Sequence, residues 1–162
     1  PQGYVLMDTG GIGMIPEMTP AEVQNATEDQ AEFAILAADL LLFVVDGRSG
    51  MVPLDQTLAQ KFRKMGKHPV LVVNKMDNPE EEYSFEEFKR LGFTKQVGVS
   101  AEHGHGIEQL EKIFQEVLPS PTLPGDEILN QRTSIAFIGR PNVGKSSLCN
   151  RLLNMKRLIV SD

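Results

Sequence analysis

Unbroken apolar runs recur along the chain, at Tyr4 to Met7, Leu40 to Val45, Val70 to Val73 and Ile135 to Ile138, with a weaker one at Val97 to Val99. Strands with one wetted face alternate apolar and polar residues, whereas strands buried on both faces read as solid runs like these. Between them lie segments with helical periodicity. Thr19-Pro20-Ala21-Glu22 is a capping box with Pro at the first helical position and predicts a helix to about Ala38. Leu54, Leu58 and Phe62, four apart, stripe a second helix that Gly66 is placed to end. Ser84 followed by Glu87 opens a shorter third, and Leu110, Ile113, Phe114 and Val117 stripe a fourth that Pro119 closes. Buried strands alternating with one-faced helices predict an α/β sandwich, a parallel sheet covered by helices.

From Pro119 to about Arg132 the composition turns to Pro-Ser-Pro-Thr-Leu-Pro-Gly-Asp, which continues neither helix nor ladder and reads as a linker. It separates residues 1–118 from a strand, loop and helix over 133–162. The chain has 162 residues, 41% of them hydrophobic, enough for a core. Its 16 basic residues against 22 acidic ones give −6, without a basic block, which argues against a glove for a polyphosphate backbone as the main function, and DNA is not an expected partner. Any anion must be held locally. No apolar run reaches the roughly 20 residues needed to cross a bilayer, and no signal segment is evident at the start. With a lone Cys149 the expected location is the cytoplasm.

The strongest local signal is Gly139-Arg140-Pro141-Asn142-Val143-Gly144-Lys145-Ser146, a full G-x-x-x-x-G-K-[ST] match after the run at Ile135 to Ile138 and before a Leu-rich helix. In that pattern glycines let the backbone close on a phosphate, and successive N–H groups and the helix N-terminus face its charge. Lys145 then reaches the terminal phosphates, and the Ser146 hydroxyl can ligate Mg²⁺. Asp8-Thr9-Gly10-Gly11 follows the first run; Asp8 can hold Mg²⁺ through water, and the Gly11 amide can meet a γ-phosphate. Asn74-Lys75-Met76-Asp77 ends the third run, where the Asp77 carboxylate can accept from both N1–H and the exocyclic amine of guanine, a pair of donors that adenine lacks. After the next strand, Ser100-Ala101 offers the Ala101 N–H to the guanine O6. His103 and His105, in a Gly-rich loop, read as solvated, Cys149 as small core packing, and Glu80-Glu81-Glu82 as a solvated face.

With these motifs in hand, the chain resembles the P-loop GTPases, and more narrowly the Der (EngA) family of tandem GTPases. The narrower resemblance rests on Asp8-Thr9-Gly10-Gly11-Ile12, Ala38-Asp39 through Asp46-Gly47-Arg48-Ser49-Gly50, Asn74-Lys75-Met76-Asp77, Leu91-Gly92-Phe93, Ser100-Ala101-Glu102-His103-Gly104 and Gly139 through Ser147. It implies GTP or GDP as ligand, Mg²⁺, GTP hydrolysis in the intact protein, and a role in assembly of the large ribosomal subunit. Ile12 stands where many such proteins have a water-orienting Gln, and the resemblance then implies K⁺ held partly by Asn142, with Asn142 and Lys145 as the catalytic pair. Alternatives are a guanine-nucleotide module that does not hydrolyse, and a generic P-loop ATPase.

The motif order departs from a single G domain, because the P-loop comes last. The resemblance therefore implies a segment from late in a first G domain to the start of a second, lacking a switch threonine, so weak turnover is expected of this chain alone. Two arrangements are open. The C-terminal strand either forms a separate stub, or docks into the missing central position of residues 1–118 and builds a pseudo-permuted, three-layer G domain with one composite site.

Overall fold

The solid apolar runs form strands of one parallel five-stranded sheet in a computed structural model of the chain. The structure describes residues 4–10, 29, 31–78, 82–118 and 133–154. The strands are β1 (Tyr4–Asp8), β2 (Leu40–Asp46), β3 (Val70–Asn74), β4 (Gln96–Gly98) and β5 (Thr133–Ile138). The helices are α1 (31–37), α2 (Pro53–Lys64), α3 (Glu82–Phe88), α4 (Ile107–Val117) and α5 (Lys145–Asn154).

Strand order is β1-β5-β2-β3-β4. The last strand in sequence thus lies between the first two, in the docked arrangement. Leu6 pairs with Ile135 on one side of β5, and Leu42 with Phe137 on the other. The insertion satisfies two strand edges that would otherwise present open backbone groups. A polar clamp fixes its start: Ser134 N–H and Oγ donate to Asp39 Oδ2 at 2.7 and 2.9 Å, and Asp39 N–H donates to Ser134 O at 2.9 Å.

Side-chain alternation then splits the core into two layers. Leu40, Leu42, Val44, Ile135 and Phe137 face α4 and α5, where they meet Leu110, Phe114, Leu148 and Leu152. Leu41, Phe43, Val45, Ala136 and Ile138 face the other way, onto Ile35, Phe62, Phe88 and Phe93. Phe43 makes edge-to-face contacts with Phe62 and Phe93 at 5.2 and 5.7 Å between ring centroids. Each fully buried Phe of this kind contributes on the order of 2 kcal/mol through area removed from water.

Most expected helices lie where the periodicity put them, with two differences. Helix α3 begins at Glu82, so Ser84 falls inside it and does not open it. Val117, expected on the buried stripe of α4, is 42% exposed, while Leu118 is 5% exposed. The reason is the backbone: Leu118 is extended (φ −87°, ψ 137°), which ends the helix and swings the next side chain inward. The capping box at Thr19, the linker after Leu118, and Gly11 and Ile12 lie outside the described residues.

Candidate functional site

Because all the strands run parallel, Asp8, Asp46, Asn74 and Gly139 emerge at one edge of the sheet, the carboxyl end where α/β sheets hold ligands. The loop Gly139 to Lys145 curls there into the N-terminus of α5. Two of its glycines are required by close approach. A Cβ on Gly139 would lie 2.2 Å from Val44 O, and one on Gly144, at φ +93°, would lie 2.3 Å from Asn74 Nδ2. Asn142 takes a left-handed φ of 63°, which Asn tolerates better than most residues. Val143 is fully buried and anchors the loop to the core, while Ser146 and Ser147 lie exposed in the first turn of α5.

The lysine is turned onto this loop. Lys145 Nζ donates to Gly139 O at 3.2 Å and to Arg140 O at 3.0 Å, with the residue 6% exposed. Burial lowers its pKa, and the Asp8 carboxylate partly opposes that shift. Ser146 Oγ donates to Asp8 Oδ2 at 2.5 Å, so the two expected metal-binding oxygens, 138 residues apart in sequence, are neighbours. Thr9 Oγ1 donates to Phe137 O at 2.6 Å and ties the loop after β1 to β5.

Asn74 joins three loops through one buried side chain. Its Nδ2 donates to Val143 O at 2.8 Å, and its Oδ1 accepts from Ala101 N–H at 3.0 Å. The Ala101 amide, expected to face a guanine O6, is directed at Asn74 here. Lys75, at φ 66°, donates from Nζ to Asn142 O and to Asp46 Oδ2, each at 2.7 Å. Asp77 Oδ1 accepts from Ser100 Oγ at 2.5 Å, and Asp77 Oδ2 accepts from the Arg48 guanidinium. The Ser100 hydrogen bond is the main reason the Asp77 pKa is lowered; burial opposes it, and the Arg48 charge adds to the lowering. His103, half exposed, brings Nε2 to 3.8 Å from Asp77 Oδ1, a carboxylate neighbour that the sequence reading did not give it.

Three further residues shape the site without having been singled out for a role. Asp46, 5% exposed, accepts from the Arg48 and Ser49 amides at 3.0 and 3.3 Å with Oδ1 and takes Lys75 on Oδ2. Burial raises its pKa, but the Lys75 contact and the Ser49 amide outweigh that, and the net direction is down. Arg48 reaches Asp77, and Arg151 of α5 donates from Nε to Ala101 O at 2.8 Å and from its guanidinium to Glu102 O. The usable signal for Asp46 was a carboxylate closing a solid apolar run immediately before Gly47. Cys149 is buried, and burial pushes its thiol up to about 11, in keeping with packing. Among the described residues no cluster of three or more His, Cys, Asp or Glu could hold a metal, and no helix is long and apolar enough to cross a membrane.

A cavity of about 550 Å³ opens beside Asp77, lined by Met76, Phe85, Gly98, His105 and Gln109 among others. None of its lining comes from the Gly139 to Ser147 loop, so it is distinct from the phosphate cradle.

A parallel sheet with a Gly-rich loop and buried lysine at its carboxyl edge, joined to an Asn-Lys-x-Asp loop, defines a P-loop protein of the G-domain class. The chain belongs to the family described as the Elongation factor Tu GTP binding domain, whose model matches residues 28–120, more than half of its length. A second model, described as 50S ribosome-binding GTPase, matches residues 134–162. Across 99% of its length the chain is 41% identical to GTPase Der of Legionella pneumophila strain Corby and 38% identical to GTPase Der of Acinetobacter baumannii strain AYE. The match covers 34% of each of those proteins, so the chain spans about a third of the length of the curated relatives it matches.

Proposed function

We propose that this chain binds GTP and GDP in one composite site, to which residues 1–118 contribute the base-reading loops and residues 133–162 the phosphate loop. The observation that carries this reading is Asn74, whose side chain bonds to Val143 O on one side and Ala101 N–H on the other. In the proposed site Asp77 accepts from the guanine N1–H and 2-amino group, with Asn74, Lys75, Ser100 and Ala101 framing the base. The backbone of Gly139, Asn142, Val143 and Gly144, with Ser147 and the Gly11 amide, surrounds the phosphates, and Lys145 neutralises their charge.

The hard oxygens of Ser146 and Asp8, already in contact, suit Mg²⁺ in both donor type and placement. When bound, the ion would neutralise charge on the phosphate oxygens. Asn142 is the residue proposed to share in holding K⁺. Lys145 is held by two backbone carbonyls, contacts that a phosphate can replace with a full opposite charge.

In the whole protein we propose GTP hydrolysis to GDP and phosphate as a switch in assembly of the large ribosomal subunit. The description 50S ribosome-binding GTPase and the name GTPase Der among its relatives support that reading. Given the net charge of −6, contact with ribosomal RNA is assigned to parts of the protein beyond this segment. Turnover by this chain alone is expected to be slow, because no threonine follows the Gly139 to Ser147 loop in it to ligate Mg²⁺ and close on a γ-phosphate.

Competition titration tests the nucleotide class. GTP and GDP are expected to displace a labelled GDP at concentrations at least a hundredfold below ATP, because adenine lacks the two N–H donors that the Asp77 carboxylate accepts from in guanine. Equal displacement by ATP would contradict the guanine reading and leave a P-loop ATPase. Single-turnover hydrolysis with Mg²⁺ and K⁺ then measures activity.

A further inference from the structure

Asp77, the carboxylate assigned above to the base, already accepts from a guanidinium. Arg48 donates to Oδ2 while the Ser100 hydroxyl holds Oδ1. The arginine side chain is 53% exposed and that of Asp77 only 7%, so the arginine is the outward partner of a shielded acid. Its position is built, since Asp46 Oδ1 accepts the Arg48 and Ser49 amides and fixes the turn that aims Arg48 across to the end of β3. Asp46 is in turn held by Lys75 of the Asn-Lys-x-Asp loop, so arginine and carboxylate are carried by two loops already joined.

The two donors, one cationic and one neutral, share a hydrogen-bonding geometry. The N1–C2–N2 edge of guanine is a guanidine fragment that presents parallel N–H groups to a carboxylate, the arrangement in which arginine forks onto Asp or Glu. We propose that Arg48 is an internal competitor for the base: its guanidinium occupies the recognition oxygen Oδ2 in the nucleotide-free protein, and guanine must displace it to bind. Arg48 thereby sets nucleotide affinity without touching the phosphates. The exchange is close to balanced, because an ion pair whose arginine is half exposed to water is a weak contact. Asp77 Oδ2 keeps a donor throughout, the guanidinium before the exchange and the base after it. His103 Nε2 and the Ser100 hydroxyl also face the same carboxylate.

The inference rests on the guanine reading of Asp77, and a double-mutant cycle separates the two. GDP binding to the full chain is measured by calorimetry for wild type, Arg48→Ala, Asp77→Asn and the double variant. Arg48→Ala is expected to tighten GDP binding about two- to fivefold, the range that a pair with one half-exposed partner supports. In the Asp77→Asn background the same change is expected to have no effect, because the contested carboxylate is gone. Unchanged or weaker GDP binding by Arg48→Ala, with Asp77→Asn still defective, would overturn the competitor role alone. GDP affinity that survives Asp77→Asn would overturn the base reading beneath it.

Discussion

Replacing Asp77 with Asn is expected to weaken GDP binding about a hundredfold and to bring in xanthosine diphosphate at comparable affinity. The carboxylate is ionised at neutral pH, its pKa lowered further chiefly by the Ser100 hydroxyl, and only an ionised acid offers acceptors to both guanine donors. An amide presents one acceptor and one donor, so a guanine 2-amino group would meet an N–H, whereas the C2 carbonyl of xanthine would accept from it. Hydrogen bonds to a charged group are each worth about 1.5–3 kcal/mol, and a hundredfold loss is about 2.7 kcal/mol, within the range of one such bond. Parallel titrations with GDP and xanthosine diphosphate check this. A variant that lost both nucleotides equally would point to a damaged loop and not to a changed reading of the base.

The second large effect concerns the inserted strand. Phe137→Asp is expected to destabilise the fold by at least about 4 kcal/mol, because it places an unpaired carboxylate in the centre of the sheet and removes a fully buried ring. Domains of this kind hold only about 5–15 kcal/mol in total, so the variant is expected to be largely unfolded at 37 °C. The loss should extend to residues 4–8 and 40–46, since β1 and β2 each pair with β5. Phe137→Leu, which keeps the burial, is expected to cost no more than about 1.5 kcal/mol. Urea unfolding followed by circular dichroism, with fluorescence from a probe in β2, measures both. Melting confined to residues 133–154 would show that the C-terminal piece is not integral to the sheet.

The strands were legible in the sequence because burial on both faces leaves runs such as Leu40 to Val45 without a polar interruption. The phosphate loop was equally legible, since Gly139 and Gly144 stand where a Cβ would strike Val44 O and Asn74 Nδ2. The partners of β5 were not. A Pro-rich tether permits both docking and separation, and only the open edges of β1 and β2, a property of the assembled sheet, favour the former. Arg48 and Arg151 were missed for the same reason. Their targets lie 29 and 50 residues away, and nothing local to either arginine announces a carboxylate or a loop carbonyl across the sheet edge. Leu118 in place of Val117 followed from a backbone turn that helical periodicity does not encode. The likeness to the Der GTPases, read from motifs alone, was borne out by the relatives that match across the chain.

The composite site is tested most directly by amide hydrogen exchange on the full chain with and without GDP. Before nucleotide is added, the amides of β5 should exchange as slowly as those of β2, since the two are paired in one sheet. On addition of GDP, segments 142–148, 74–77 and 100–101 should gain protection together, with one shared dependence on GDP concentration. Protection of the phosphate loop alone, or of the base-reading loops alone, with β5 exchanging freely, would contradict a single site built from both parts of the chain.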